Sequence, residues 1–88
     1  MNWKIIWNEG ALQDLKKLDK FIQKKLLHFL NTRIAPLENP RVRGKPLSYE
    51  KFGLWRYRVE DFRIVCRIDD AEITILVVQI GYRKNIYD

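Results

Sequence analysis

The sequence predicts a single α+β domain in which an N-terminal strand and a two-helix hairpin precede a three-stranded antiparallel meander. Three observations predict it: a short β-prone run at the N-terminus, two apolar patterns with helical spacing before residue 35, and three strand-like runs after residue 53. The 88 residues allow one domain, residues 1–88, and 47% apolar residues can supply its core.

The first half of the chain is expected to form the strand and both helices. Residues 3–7 form the strand, Asn8 caps the first helix and Asp19 caps the second. Apolar residues with helical spacing mark the inner faces: Ala11, Leu12, Leu15 and Leu18, then Ile22, Leu26, Phe29, Leu30 and Ile34. Pro36 ends the second helix, and a loop rich in proline and glycine continues to about residue 53.

The second half reads as three strands, residues 54–59, 62–68 and 72–80, joined by tight turns. A two-residue turn at Glu60-Asp61 pairs Arg58 with Arg63. Alternation then gives one apolar face, directed at the helices: Trp55, Tyr57, Val59, Phe62, Ile64, Cys66 and Ile68. The opposite face, called the arginine face below, carries Leu54, Arg56, Arg58, Arg63, Val65 and Arg67. The last run is almost uniformly apolar, which is typical of a central strand.

The positive charge is concentrated around this face. The net charge is +6, and residues 41–67 hold eight lysines and arginines against three acids, so 8 − 3 gives +5 of that total. Like charges directly opposite each other destabilise a hairpin, so four arginines on one face indicate a use for them, with a merely solvated face as the alternative. Because guanidinium groups grip phosphates in two places and stack on bases, the pattern favours an RNA partner.

Several kinds of site are not indicated. The sequence has one cysteine, no metal-ligand spacing, no glycine-rich phosphate loop and no Ser-His-Asp arrangement, so we expect no metal and no cofactor. His28 is expected to face water and Cys66 to lie in the core. Neither a signal peptide nor an apolar run of about 20 residues is present, so we expect a cytoplasmic protein without a membrane partner.

Clustered arginines can support the cleavage of RNA by its own 2′-hydroxyl group. That reaction needs the oxygen aligned with the scissile bond and fixed cations that stabilise the charge of the transition state. Arginine stays protonated and is therefore a poor general base. Lys51, Tyr82 and Tyr87 are the candidates for handling protons or stacking on bases, although their ordinary pKa values lie near 10.

Three segments in this order resemble the RelE branch of the RelE/ParE toxin superfamily over essentially the whole chain. They are residues 43–47 (RGKPL), 54–65 (LWRYRVEDFRIV) and 78–87 (VQIGYRKNIY). The resemblance implies a microbial-ribonuclease-like fold and a toxin of a type II toxin–antitoxin pair. Such a toxin enters the ribosomal A site, cuts messenger RNA without a metal and is held by a cognate antitoxin.

The resemblance also implies roles for individual residues. Arg63 and Arg83 match arginines that bind phosphate and stabilise the transition state, and Tyr87 matches a tyrosine that stacks on or orients the nucleotide. Arg56 and Lys51 fall near the positions at which the family has basic residues that contact the RNA backbone. The predicted catalytic group is therefore Arg63, Arg83, Tyr87 and Arg56.

Other residues are expected to contact RNA without taking part in the reaction. Besides Lys51 they are Arg58 on the arginine face, Arg43 and Lys45 in the loop as general phosphate contacts, and Tyr82 as a wall of the site. Arg41 is assigned the same general role as Arg43, and Tyr87 could instead pin the tail to the sheet.

Two other functions stay open from the sequence: a ParE-like inhibitor of DNA gyrase and a non-catalytic module that binds RNA or a protein partner. In either toxin interpretation the antitoxin is expected to supply an acidic, partly disordered segment. Sequence-specific binding to DNA by this chain alone is not expected.

Overall fold

The computed structural model describes residues 2–47 and 53–82, which form one five-stranded sheet with two helices. The elements in chain order are β1 (Lys4–Trp7), α1 (Glu9–Lys16), α2 (Lys20–Phe29), a π-helical turn (Leu30–Ile34), a 3-10 turn (Pro40–Arg43), β2 (Lys45–Pro46), β3 (Leu54–Val59), β4 (Phe62–Asp69) and β5 (Thr74–Tyr82). The strand order is β1-β5-β4-β3-β2, so the predicted α+β fold is confirmed.

Both helices begin at the predicted caps. The Oδ1 atom of Asn8 accepts a hydrogen bond from the backbone N–H of Ala11 at 2.8 Å, and that of Asp19 accepts one from Ile22 at 3.0 Å. Each bond satisfies an N–H group that has no partner inside the helix, which stabilises the helix by about 1 kcal/mol. α1 buries Ala11 and Leu15, whereas Leu12 is 38% exposed, so its assignment to the inner face is wrong. A helix of only two turns has a narrow buried stripe, and Leu12 lies beside it.

The β3–β4 hairpin has the predicted register. Arg58 lies opposite Arg63 and Val59 opposite Phe62, and Glu60 in the turn has φ 54°. An ion pair between Lys25 of α2 and Glu60 joins the helix layer to this turn. The register therefore fixes which side chains share a face of the sheet.

β5 is an interior strand of the sheet, as its apolar sequence predicts. It pairs antiparallel with β4 on one side and parallel with β1 on the other. It begins at Thr74 and not at Glu72, because a turn occupies the intervening residues: the Oδ1 atom of Asp69 accepts from the N–H of Glu72 at 3.1 Å. Side-chain bonds of this kind compete with strand pairing in Asp-rich turns.

The sequence did not predict β2, the short edge strand that pairs Lys45 with Arg56 and Pro46 with Trp55. Gly44 permits this pairing, since a Cβ atom there would lie 2.3 Å from the backbone oxygen of Arg56. Proline is accepted because edge strands do not need every N–H donor. The loop is therefore held closely against β3.

The core lies between the helices and the predicted apolar face of the sheet. Leu26, Tyr57, Ile64 and Val77 are each no more than 1% exposed. Cys66 is fully buried as predicted, and burial raises the pKa of its thiol to about 12. None of the helices in the described part of the chain has the length and apolar character needed to span a membrane.

Candidate nucleic-acid interface

Strand pairing arranges the arginine face in rows, because directly paired residues project to the same side of a sheet. The first row runs Arg58 (β3), Arg63 (β4), Gly81 (β5). The second row runs Lys45 (β2), Arg56 (β3), Val65 (β4), Gln79 (β5). Adjacent strands lie about 4.8 Å apart, so the two rows bring four of the predicted site residues together.

Arg63 is the most constrained of these side chains. It is 3% exposed, and it is the only buried charged residue in the described part of the chain. Its neighbour on β5 is Gly81, which has no side chain to occupy the adjoining position. Arg58 opposite is exposed, and Arg56 is half-buried. The row thus joins a buried guanidinium to an accessible one.

A cationic groove adjoins these rows. Arg43, Gly44, Lys45, Arg56 and Arg58 line it, and its volume is about 210 Å³. All four side chains that line it are positively charged, which suits a phosphate group. The predicted contacts Arg43 and Lys45 therefore lie beside the arginine rows.

Two aromatic donors, one buried and one partly buried, hold the 3-10 turn that leads into this groove. The Tyr57 hydroxyl donates to the backbone oxygen of Pro40 at 2.7 Å, and the Nε1–H of Trp55 donates to that of Arg41 at 3.1 Å. Burial raises the pKa of Tyr57, so its hydroxyl stays protonated and remains a donor. The apolar face of β3 thereby positions the loop that carries Arg43.

Arg41 does not share the predicted role of its neighbours. Its guanidinium forms two hydrogen bonds with the carboxylate of Asp70, at 2.8 and 3.1 Å. The guanidinium of Arg41 holds the pKa of Asp70 below its usual range, chiefly through these hydrogen bonds. The general phosphate contact assigned to Arg41 is thus replaced by an ion pair that ties the 3-10 turn to the β4–β5 turn.

Tyr82 lies on the helix side of the sheet. It pairs with Phe62, and the two rings stack edge to face with centroids 5.4 Å apart. Its neighbour Gly81 is the residue that faces Arg63. The structure therefore does not bring Tyr82 into the arginine rows, and its predicted contact with RNA stays a prediction.

Three predicted site residues lie outside the described residues: Lys51, Arg83 and Tyr87. Their roles stay predictions. Arg83 directly follows Tyr82 in the sequence, two residues after the glycine that faces Arg63. Within residues 2–47 and 53–82, no group of three or more His, Cys, Asp or Glu side chains is placed to hold a metal ion.

A second groove, which sequence reasoning did not find, adjoins the β5 end of the same face. Its volume is about 410 Å³, and its lining consists of Gly10, Asp14, Leu47, Leu54, Val65, Val78 and Gln79. It depends on a β-bulge in β5, between the residues that pair with Val65 and Cys66. A uniformly apolar run such as that of β5 gives no sign of where its alternation breaks.

These features define a class: small, basic α+β proteins in which a strand and two helices precede a sheet with a cationic face. The family model described as "ParE toxin of type II toxin-antitoxin system, parDE" matches residues 5–87. Toxin RelG of Mycobacterium tuberculosis is 29% identical over 87 residues, which cover 99% of this chain and 98% of RelG. Toxin RelE of the same organism is 33% identical over 78 residues, which cover 88% and 77% of the two chains.

A solved structure agrees with the sequence comparisons. A chain in the crystal structure of the toxin–antitoxin complex RelBE2 from M. tuberculosis superposes with a TM-score of 0.85 at 26% identity, covering 94% of this chain and 93% of that one. The chain belongs to the RelE/ParE toxin superfamily, in its RelE-like branch. It is a toxin of a type II toxin–antitoxin pair, and its partner is a cognate antitoxin.

Proposed function

We propose that this toxin is a ribosome-dependent, metal-independent endoribonuclease that cuts messenger RNA in the A site and so arrests translation in the cytoplasm. The observation that supports it most strongly is the direct pairing of Arg58 with Arg63 on a face that also holds Arg56 and Lys45. Two guanidinium groups that lie opposite each other on a sheet are well placed to bind one anion together. A phosphodiester provides such an anion.

The proposed reaction is attack by the 2′-oxygen on the adjacent phosphorus. The 2′-hydroxyl loses its proton as the bond from phosphorus to the 2′-oxygen forms, and the leaving 5′-oxygen takes up a proton as its bond to phosphorus breaks. The products are a 2′,3′-cyclic phosphate and a 5′-hydroxyl end. Negative charge grows on the phosphoryl oxygens in the transition state, and fixed donors stabilise it without reorganising. Arg63 is suited to this role because its burial restricts the orientations of its guanidinium, and Arg83 is the second arginine that the family pattern assigns.

The remaining cations would hold the flanking backbone. Arg56, Arg43 and Lys45 line the 210 Å³ groove, where they can bind a phosphate next to the scissile one. Lys51 is proposed as a further backbone contact, and Tyr87 as the residue that stacks on the nucleotide. The general base is none of the arginines, because guanidinium groups do not lose their protons in proteins.

The experiment is to induce the chain in growing cells and map the 5′ ends of messages within translated frames. We expect new 5′-hydroxyl ends inside reading frames and an arrest of translation. Arg63→Ala should abolish both effects and Arg58→Ala should weaken them, while thermal unfolding of the purified variants shows that each is folded. The matched control is Arg67→Ala, since Arg67 lies on the same face but in a third row, between Leu54 and Leu76.

A second candidate follows from the matched family model, whose description names a ParE toxin. A gyrase inhibitor would produce double-strand breaks in DNA and no new ends in messages. A non-catalytic RNA-binding module would produce neither effect. The same induced cells, assayed also for double-strand breaks in DNA, therefore separate all three functions.

A further inference from the structure

The groove at the bulge of β5, called the bulge groove below, has the shape of a ligand site. Leu47 and Leu54 form one apolar wall, Val65 on β4 forms the floor, and Gly10 and Asp14 of α1 form the opposite wall. Its volume of about 410 Å³ lies within the range of small-molecule sites, roughly 300–1,000 Å³. None of these residues except Leu54 and Val65 was part of the predicted arginine face.

The bulge brings two successive residues of β5 into this groove. Val65 pairs with Gln79 and the next residue, Cys66, pairs with Val77, so Val78 is the extra residue. Val77 and Ile80 on either side are buried in the core, at 0% and 7% exposure, whereas Val78 and Gln79 both line the groove. Bulges frequently re-aim side chains beside functional sites. Without this bulge, strict alternation along β5 would direct either Val78 or Gln79 to the core side of the sheet.

Asp14 supplies an anchored carboxylate in the groove. Its Oδ2 atom accepts a hydrogen bond from the backbone N–H of Ile80 at 3.2 Å, which fixes α1 against β5 beyond the end of β1. A carboxylate has about four acceptor sites, so this bond leaves acceptor capacity for a ligand. Gln79 adds an amide that both donates and accepts. A ligand that fits these groups has an apolar body and an edge rich in N–H donors.

The position of the groove identifies the ligand further. Val65 and Gln79 belong to the same row as Lys45 and Arg56, so the apolar floor lies one strand, about 5 Å, from the backbone of Arg56. A nucleotide whose phosphate binds at the arginines would bring its base to this distance. We propose that the bulge groove binds a nucleobase of the RNA, with Asp14 and Gln79 as the residues that select it. The inference rests on the proposed function for its substrate class and adds a specificity site to it.

Guanine fits the donor pattern best. Its N1–H and N2–H groups lie side by side and can donate to one carboxylate, whereas uracil presents carbonyl oxygens on both sides of its single ring N–H. A carboxylate can only accept, so it repels those carbonyl oxygens. Well-matched side-chain contacts to a base edge discriminate by roughly fivefold to a hundredfold. The bulge groove should therefore prefer guanine to uracil.

Binding of mononucleotides to the purified full-length chain tests the proposal without relying on cleavage. We expect guanosine 5′-monophosphate to shift the NMR signals of the Gln79 side-chain amide and the Gly10 N–H, with an affinity at least about fivefold above that of uridine 5′-monophosphate. Asp14→Asn should remove this preference, because its amide oxygen can still accept from Ile80 while its NH₂ group opposes the guanine N–H donors. The matched control is Glu9→Gln, an exposed acid on the same helix that does not line the groove.

A second variant fills the groove. A Cβ atom at Gly10 would meet only the Oδ1 atom of Asn8, at 3.8 Å, so Gly10→Leu adds bulk without a clash at its Cβ. We expect it to block guanosine 5′-monophosphate while inorganic phosphate still shifts the signals of Arg56 and Arg58. Equal affinities for the two nucleotides, or a preference that survives both Asp14→Asn and Gly10→Leu, would overturn the proposal.

Mapped cleavage ends give a separate result in cells. If the toxin cuts messages, Asp14→Asn should redistribute the bases around the remaining cut sites away from guanine. An unchanged distribution would contradict the proposal that the bulge groove selects a base, without contradicting the nuclease proposal. If the wild-type toxin cuts no message, the nuclease proposal fails, and nucleotide binding still decides whether the groove selects a base.

Discussion

At the scale of single residues, Arg63 combines two properties that rarely occur together. It is a charged side chain at 3% exposure, and it lies on a face that otherwise carries exposed and half-buried arginines. Burying a guanidinium is costly unless the surroundings compensate it, and burial restricts the orientations that its planar fork can take. Its planar fork, and not its charge alone, should therefore matter.

Arg63→Lys tests this expectation. Lysine keeps the charge and loses the two-pronged donor geometry, so we expect cleavage of ribosome-bound message to fall by about 10- to 100-fold. The measurement is the rate of cleavage on purified ribosomes, with thermal unfolding as the check on stability. Arg67→Lys, on the same strand and the same face, should retain nearly full activity. Equal activity of both variants would contradict a geometric role for Arg63.

Cys66 provides a residue-scale prediction about pH. Because burial raises the pKa of its thiol to about 12, the native protein should resist alkylation by iodoacetamide at pH 8, and the urea-unfolded chain should react fully. The unfolded thiol loses its proton near its ordinary pKa of about 8.5, so the free energy of unfolding should fall as pH rises from there towards 12. Mass spectrometry of the labelled chain and urea titrations at several pH values measure the two effects. Rapid labelling of the folded protein would show that the thiol is accessible.

At the scale of elements, the contact between β2 and β3 determines whether the loop cations reach the arginine face. Gly44→Ala would place a Cβ atom 2.3 Å from the backbone oxygen of Arg56 and 2.7 Å from the Trp55 ring. We expect the variant to separate the two strands, to lower the free energy of unfolding by about 1–3 kcal/mol and to weaken RNA binding through Lys45.

The matched control for that change is Gly10→Ala. Gly10 lies in the first turn of α1 with open space around it, so alanine should be neutral or stabilise the protein by up to about 1 kcal/mol. Urea denaturation and RNA titrations of both variants make the comparison. Similar effects of the two substitutions would show that the close approach at Gly44 is not the cause.

Across the whole molecule, the sequence predicts those features that depend on residues close together in the chain, such as helix caps and the register of a hairpin. The caps at Asn8 and Asp19 and the register of Arg58 with Arg63 are confirmed, because each depends on residues close together in the chain. The bulge in β5 and the Arg41–Asp70 ion pair were not predictable in this way. The pair joins residues 29 positions apart, and the bulge depends on how β5 fits against β4 within the folded sheet.

The ion pair between Arg41 and Asp70 also means that the positive charges of the molecule should differ in how much they contribute to RNA binding. Each phosphate that a cation neutralises in single-stranded RNA contributes about −0.7 to the slope of log affinity against log salt concentration. Arg58→Ala should therefore make the slope shallower by about 0.7, since Arg58 is exposed in the row that contains Arg63. Arg41→Ala removes the same formal charge but should leave the slope nearly unchanged, because Asp70 already neutralises that guanidinium.

Fluorescence titrations of a short single-stranded RNA over a range of salt concentrations measure both slopes. Net charge alone would predict equal changes, because each variant loses one of the six net positive charges. A larger effect of Arg58→Ala would show that affinity depends on where the cations lie, as the row geometry of the sheet requires. Equal slopes for the two variants would instead mean that RNA responds to the overall charge, and that the arginine face is a solvated surface.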